Sequence, residues 1–232
     1  MFAKDKAPDC NNCKFKLDCL YNFLGLEAQK KWIEIRSACS FSDKDQIYSE
    51  GEPPKGIYVV CMGRVKIYST DFQGQQLITW IRHPAEIFGH FALFSEKEFT
   101  CNAEAMGNAL ISFIDGKTFK LFMDCFPGVY SLMLKKMSME NRAMQLKLKD
   151  TAYKPAKSKI AHTLIKHISF KTKDTPTPTI YGLKRTEIAE ITGLALETVV
   201  RCLSDLEKKK IIKRSPNYIK ILDYESLVKI AK

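Results

Sequence analysis

Histidine is scarce in this chain, with four among 232 residues, and no glycine-rich phosphate loop follows any strand-like run. Without a base paired to a nucleophile, or a cradle for phosphate, the sequence offers no catalytic constellation, and an enzyme is not expected. Long apolar runs are missing as well. No window approaches the roughly 18 uninterrupted apolar residues of a membrane helix, and the N-terminal MFAKDKAPDC lacks the apolar stretch of a signal peptide. A cytoplasmic protein without a membrane partner is the expectation. Residues 129–154 contain neither glycine nor proline, which excludes a turn there and leaves a long helix.

Cysteine is not scarce. Eight stand at positions 10, 13, 19, 39, 61, 101, 125 and 202, and in a reducing compartment they read as thiols or metal ligands rather than disulfides. The net charge is +11, unevenly spread: residues 150–232 hold 17 Lys or Arg against 9 Asp or Glu, a net +8, while residues 1–149 hold 20 against 17. A basic C-terminal third points to a nucleic-acid partner.

Periodicity divides the chain further. A cysteine-containing segment and helix occupy 1–37, with LYNFLGLEAQKKWIEIRS as the helical part. Between Gln46 and Phe119, short alternating runs (GIYVV, GRVKIYST, QLITWI, ALISFI) are punctuated by glycines, so 38–126 reads as an all-β barrel or double-sheet roll. Residues 127–152 form the long helix. Along it Tyr130, Leu134, Met137, Asn141, Met144, Leu148 and Thr151 recur at alternating steps of four and three, the seam of a two-helix coiled coil, hence a homodimer. After Tyr153-Lys154-Pro155 the run KSKIAHTLIKHISF continues as helix. KRTEIAEITG and LALETVVRCLSDLEKK then read as two short helices meeting at Gly193, and IIKRSPNYIKILD as a two-stranded hairpin. Residues 153–232 thus form a winged helix-turn-helix, and the fold class is α+β.

In the second short helix Val199, Leu203 and Leu206 mark the buried side, which turns Glu197 and Arg201 outward one turn apart. In a major groove Arg pairs two donors with guanine O6 and N7, and Glu accepts from cytosine N4. Glu197 and Arg201, with Val200 between them, are therefore the candidate base readers of double-stranded DNA. Arg185, Thr186, Thr198, Lys213, Arg214 and Lys220 suit phosphates, which orient without reading sequence. The alternative is an ordinary surface ion pair between Glu197 and Arg201.

Several stretches together resemble the cyclic-AMP receptor protein and fumarate-nitrate reduction regulator (Crp/Fnr) superfamily. They are EGEPPKGIYVVCMGRVKIY, GQQLITWIRHPAEIFGHFALF, the long helix, KSKIAHTLI, and TEIAEITGLALETVVRCLSDLEKKKII with its Glu-Thr-Val-x-Arg core at 197–201. The resemblance spans nearly the whole chain. It implies a homodimeric transcription regulator with a cyclic-nucleotide-binding-like β-roll (jelly-roll) as sensor, a dimerisation helix and a winged helix-turn-helix, and RNA polymerase as a partner if the protein activates. By the same resemblance Glu197 and Arg201 fall on base-reading positions and Thr198 on a phosphate contact.

Departures from the family pattern bear on the signal. Cyclic-nucleotide binders of this family carry a Glu after a Gly and an Arg shortly downstream. Here His90 follows Gly89, and FSEKEFTCNAEA holds no Arg; a buried phosphate would lack its cation, which argues against cyclic AMP by the usual contacts. A lone His90 among Phe88, Phe91 and Phe94 reads as structural. Cys10, Cys13 and Cys19 match the iron–sulfur ligand spacing of the oxygen-sensing, Fnr-like branch, to which the recognition helix is also closer. That branch has its fourth cysteine where this chain has Ser112, leaving Cys101 as the candidate fourth ligand. An iron–sulfur cluster, zinc, an unoccupied vestige of such a site, or redox-reactive thiols are the open readings. Lys14 and Lys16, lying between the cysteines, are expected to depress the thiol pKa values.

Overall fold

The computed structural model of the chain describes residues 4–5, 8–169 and 172–232. In chain order its elements are β1 (Lys4–Asp5), α1 (Leu26–Ile35), β2 (Ser37–Phe41), β3 (Gln46–Tyr48), β4 (Gly56–Met62), β5 (Val65–Thr70), β6 (Gln76–Arg82), β7 (Ile87–Phe88), α2 (His90–Ser95), β8 (Asn102–Ala105), β9 (Ala109–Asp115), α3 (Gly116–Cys125) and α4 (Gly128–Tyr153). There follow α5 (Ala156–Lys166), β10 (Thr179–Tyr181), α6 (Arg185–Thr192), α7 (Leu196–Lys208), β11 (Ile212–Arg214), β12 (Tyr218–Ile221) and α8 (Tyr224–Ala231). Two single-turn 3-10 segments, Lys16–Asp18 and Leu20–Phe23, precede α1. No helix among the described residues is long and apolar enough to cross a membrane.

The chain forms two compact units, one running to Gly74 and including Thr79–Asn141, the other Gln75–Ile78 with Arg142–Lys232. In the first, the sheets β1-β2-β9-β4-β7 and β3-β8-β5-β6 face each other as the expected roll. Alternation along β4 shows why two cores arise. Tyr58 and Val60 join the interior between the sheets, where Tyr48 stacks on Phe99 at 3.7 Å, while Ile57 and Val59 turn to the opposite face and pack with Tyr21, Trp32, Phe119, Phe122, Val129 and Met133. The sharp return from β4 to β5 needs Gly63: its φ is +82°, and a Cβ there would lie 2.4 Å from the carbonyl oxygen of Asn108.

The second unit is organised around Ile160, Leu164, Ile188, Val199, Leu203, Leu206, Ile219, Ile221 and Leu227, all buried. Here the structure adds to the sequence reading. The wing is a three-stranded sheet in the order β10-β12-β11, because Thr179–Tyr181 pairs antiparallel with β12. A final helix, α8, capped by Asp223 through Ser226 N–H at 2.9 Å, closes the core with Leu227 and Ala231. The run KSKIAHTLIKHISF is helical only to Lys166, and its last residue, Phe170, lies outside the described residues. Phe119, taken as the end of the strand region, stands in α3, whose N-terminus Asp115 caps by accepting from Lys117 and Thr118 N–H.

Candidate nucleic-acid interface and thiol recess

The turn between α6 and α7 is made at Gly193, which caps α6 in the left-handed conformation with φ +64°. At the start of α6, Glu187 reaches back to accept the Lys184 N–H at 2.8 Å, leaving Arg185 and Thr186 exposed. On α7, Val199, Leu203 and Leu206 are fully buried, so the helix is anchored on one side only. Glu197 and Arg201 are exposed on the other, with Thr198 and Val200 half-buried beside them. Among the described residues no ion pair joins Glu197 to Arg201.

The wing is tied to α7 by charge. Arg214 donates from Nε to Glu207 at 2.8 Å and from Nη2 to Ser204 at 3.2 Å, and Glu207 also accepts the Arg214 backbone N–H at 2.8 Å. These bonds and the adjacent charge hold the Glu207 carboxyl below its ordinary range. The Arg214 guanidinium is thus matched within the protein and serves first to fix the wing. Lys213 remains exposed, and Lys220 lies over the Tyr218 ring at 5.5 Å.

The long helix α4 has two different faces. Of the seam residues, Tyr130, Leu134, Met144, Leu148 and Thr151 are exposed or nearly so, Leu134 and Leu148 at 67 % and 71 %; Asn141 is exposed and Met137 half-buried. On the opposite face Val129, Met133 and Glu140 are buried. Glu140 accepts from Arg82 Nη1 at 2.6 Å and from Lys136 Nζ at 2.9 Å, and lies 3.0 Å from His90 Nε2. Burial by itself would raise the Glu140 carboxyl; the hydrogen bonds from His90 and Arg82 and the arginine charge outweigh it and hold the group well below the carboxylate range. Burial lowers His90, against the pull of the Glu140 carboxylate 3.0 Å from its Nε2. His90 is a structural residue of this network, its ring tilted against Phe91 with centroids 4.5 Å apart.

Two protein families match this chain: the cyclic nucleotide-binding domain over residues 38–124 and the Crp-like helix-turn-helix domain over residues 158–230. The chain belongs to the Crp/Fnr family of transcription regulators. It is 22 % identical to the cyclic AMP receptor protein of Thermus thermophilus over 80 % of this chain and 83 % of that one. It is 23 % identical to the transcriptional activator protein Anr of Pseudomonas aeruginosa over 96 % and 92 %. Among solved structures, FixK2 of Bradyrhizobium japonicum superposes with a TM-score of 0.75 at 21 % identity, covering 85 % of this chain and 98 % of that one. As a Crp/Fnr-type regulator it is a DNA-binding protein and not an enzyme.

The N-terminal cysteines of this Crp/Fnr chain are gathered by a short-range scaffold. Asp9 accepts from the Asn11 N–H at 2.8 Å and from Asn12 Nδ2 at 2.7 Å, and Tyr21 donates its hydroxyl to Asn11 at 2.7 Å. Lys16 N–H closes onto the Cys13 carbonyl at 3.0 Å. Cys10, Cys13 and Cys19 consequently line one recess, together with Arg36, Trp32, Ser112 and Cys61. Cys101 is elsewhere: it packs against the inter-sheet core near Tyr48, so the thiol that joins the other three is Cys61, from β4. The expected lysine effect is overruled. Burial pushes the Cys10 and Cys19 thiols up and Cys61 up to about 12, and Cys10 and Cys19 each push Cys61 further in that direction.

Two of these features had no local signal. Glu140 is separated from His90 and Arg82 by 50 and 58 residues, although the inward stripe Val129, Met133, Lys136, Glu140, again at steps of four, three and four, marks a second face of α4. Cys61 stands far from the N-terminal triplet, and only strand pairing brings it near.

Proposed function

We propose that the protein acts as a homodimer on a palindromic DNA site, each α7 presenting Glu197 and Arg201 to one half-site, with half-sites about one helical turn apart. The observation that carries this is the one-sided burial of α7: Val199, Leu203 and Leu206 fix it while Glu197 and Arg201 are exposed and unpaired with each other. Each half-site then contains a G·C pair read by Arg201 and Glu197. Val200, half-buried beside them, joins the base-reading face. Arg185, Thr186, Thr198, Lys213 and Lys220 hold phosphates, and Arg214 steadies the wing on the backbone. The exposed apolar seam of α4 pairs with its copy, Asn141 facing its symmetry mate. RNA polymerase is the further partner where the protein activates. Selection from random duplexes, followed by gel shifts at two stated salt concentrations, tests the reading. A two-fold symmetric consensus and a steep salt dependence are expected, and binding without sequence preference would overturn it.

A second observation favours a redox or oxygen signal. The clustered Cys10, Cys13 and Cys19 supply oxidisable or metal-binding sulfur in a single recess. Cyclic AMP is not the effector in this reading, since His90 follows Gly89 and the Arg82 charge is already closed on Glu140. DNA affinity should change when the thiols are oxidised, measured by gel shift before and after treatment with a mild oxidant. Unchanged affinity with all N-terminal thiols oxidised would refute this signal.

A further inference from the structure

Pro155 ends α4 and starts α5, and the residue before it, Lys154, is mostly buried rather than turned to solvent. An ammonium group has three donors and no acceptor. All three have a place within the second unit. Lys154 Nζ stands 3.2 Å from Asp150 Oδ2 on the last turn of α4 and 3.1 Å from His162 Nδ1 on α5, and it donates to the Ala231 carbonyl of α8 at 2.8 Å. Ser158 of α5 donates to the same carbonyl at 3.1 Å. One cation thus fastens α4, α5 and α8 together at the joint where α4 leads into α5. Ile160 and Leu164 of α5 lie in the same core as Val199 and Leu203 of α7, so the joint is also where the base-reading helix is attached.

The bond to His162 constrains a proton. Because Lys154 can only donate, the ring must accept at Nδ1, which places its own proton on Nε2. That Nε2 is buried and has no hydrogen-bond partner among the described residues. A second proton, on Nδ1, sets one N–H against another and ends the bond to Lys154. The charges around the ring oppose that proton on balance: burial lowers the His162 pKa, Lys166 and Lys154 lower it further, and Asp150, 3.8 Å from Nδ1, pulls the other way. On the α7 side Asp205 pairs with Lys157 at 3.5 Å, and α8 presents the Ala231 carbonyl that Lys154 already uses. The closed arrangement therefore binds the proton less readily than a solvated histidine does. It is favoured above the ordinary histidine value and lost as pH falls below it. Once protonated, the ring competes with Lys154 for Asp150, the carboxylate within its reach.

We propose that Lys154 and His162 form a proton-operated clasp at the α4–α5 joint: proton uptake by His162 breaks its bond to Lys154, loosens the joint and weakens DNA binding. The clasp lies within one chain and stands whatever the oligomeric state. Its effect on DNA rests on the dimeric reading above, because two α7 helices engage two half-sites at full strength only when their attachments are fixed beforehand.

Nitrogen NMR of isotope-labelled histidine in the full-length protein reads the clasp directly, with the His162 signals assigned by their loss in His162→Gln. Above neutral pH the wild-type ring should be the Nε2–H tautomer, with a titration midpoint below the ordinary histidine value. Lys154→Met should raise that midpoint and shift the ring toward the Nδ1–H tautomer, which faces Asp150. An Nδ1–H tautomer in the wild type overturns the clasp, and so does an unmoved midpoint in folded Lys154→Met; should that variant not fold, the wild-type tautomer decides alone. The link to DNA is tested by the affinity of full-length protein for its selected duplex at fixed salt, from about pH 7.5 to about pH 5.5. His162→Gln keeps an acceptor and carries no titrating group. The wild type should lose several-fold more affinity over this range than His162→Gln. Equal losses would overturn the link to DNA, while a two-fold symmetric consensus at neutral pH would leave the dimeric reading standing.

Discussion

Helices α4 and α7 are each buried on one side and exposed on the other, but their exposed sides carry opposite chemistry. On α7 the buried side is wholly apolar and the exposed side displays Glu197 and Arg201. On α4 the exposed side displays Leu134, Met144 and Leu148, while the buried side is held partly by charge, through Glu140. An exposed charged face costs nothing in water and becomes useful against a polyanion; an exposed leucine seam is out of place until a matching apolar face covers it. The difference teaches that the uncovered face of a helix, more than its buried one, is what points to a partner: in the proposed reading, duplex DNA for α7 and a second copy of α4 for the other.

The largest effect should come from reversing that chemistry on α4. Leu134→Asp removes one buried leucine from each side of the dimer, about 3–6 kcal/mol in all, and sedimentation at micromolar concentration should show monomer; Met144→Asp should weaken the dimer in the same sense. Circular dichroism should be unchanged, because both side chains are exposed within the chain. A dimer surviving Leu134→Asp would mean the seam is not the interface.

Next in size is the inward face. Glu140→Ala leaves buried Arg82 without its nearest carboxylate, Glu86 standing at 4.0 Å, and should cost about 3–5 kcal/mol in denaturant unfolding of the variant compared with the wild type. The pH dependence follows with the same sign for both titrating groups. Glu140 is held below its unfolded value, so its contribution is present above the ordinary carboxylate range and is lost as pH falls towards its folded value. His90 is also lowered, so the unfolded chain binds its proton first, and stability declines as pH drops below the usual histidine value. Chemical denaturation from pH 7.5 to 4 should show this decline, and His90→Gln should flatten its upper part, near pH 6.

On α7, Arg201→Ala should cost about 1–3 kcal/mol on the selected site and flatten preference at one base pair. An unchanged consensus would remove α7 as the reader. The smallest effect belongs to Lys213→Ala, which should weaken all duplexes alike and reduce the slope of log affinity against log salt by about 1 per half-site. If Lys213→Ala changed the consensus and Arg201→Ala did not, the roles of wing and helix would be exchanged.

What could be read without coordinates was what is encoded within a few residues. The alternating runs of the roll, the four-three repeat of α4 and the one-sided apolar pattern of α7 each repeat at the period of their own element, so burial of one face forces the local structure. Family membership was legible for the same reason, in the contiguous Glu197-to-Arg201 core. The third wing strand was not, because Thr179–Tyr181 is too short to show a period and is stabilised by the strand it pairs with, and α8 lies past the hairpin at which the sequence reading stopped.

Tertiary structure alone decided the pairings at long sequence distance. Nothing near Glu140 foretells that Arg82 and His90 will meet it, and nothing in the Cys10, Cys13, Cys19 spacing foretells that Cys61 lines their recess. The physical reason is that a helix or strand is chosen by neighbours a few residues away, whereas a buried charge or a thiol finds its partners only when sheets pair and a single-residue slip in β4 turns one side chain toward a segment more than forty residues earlier.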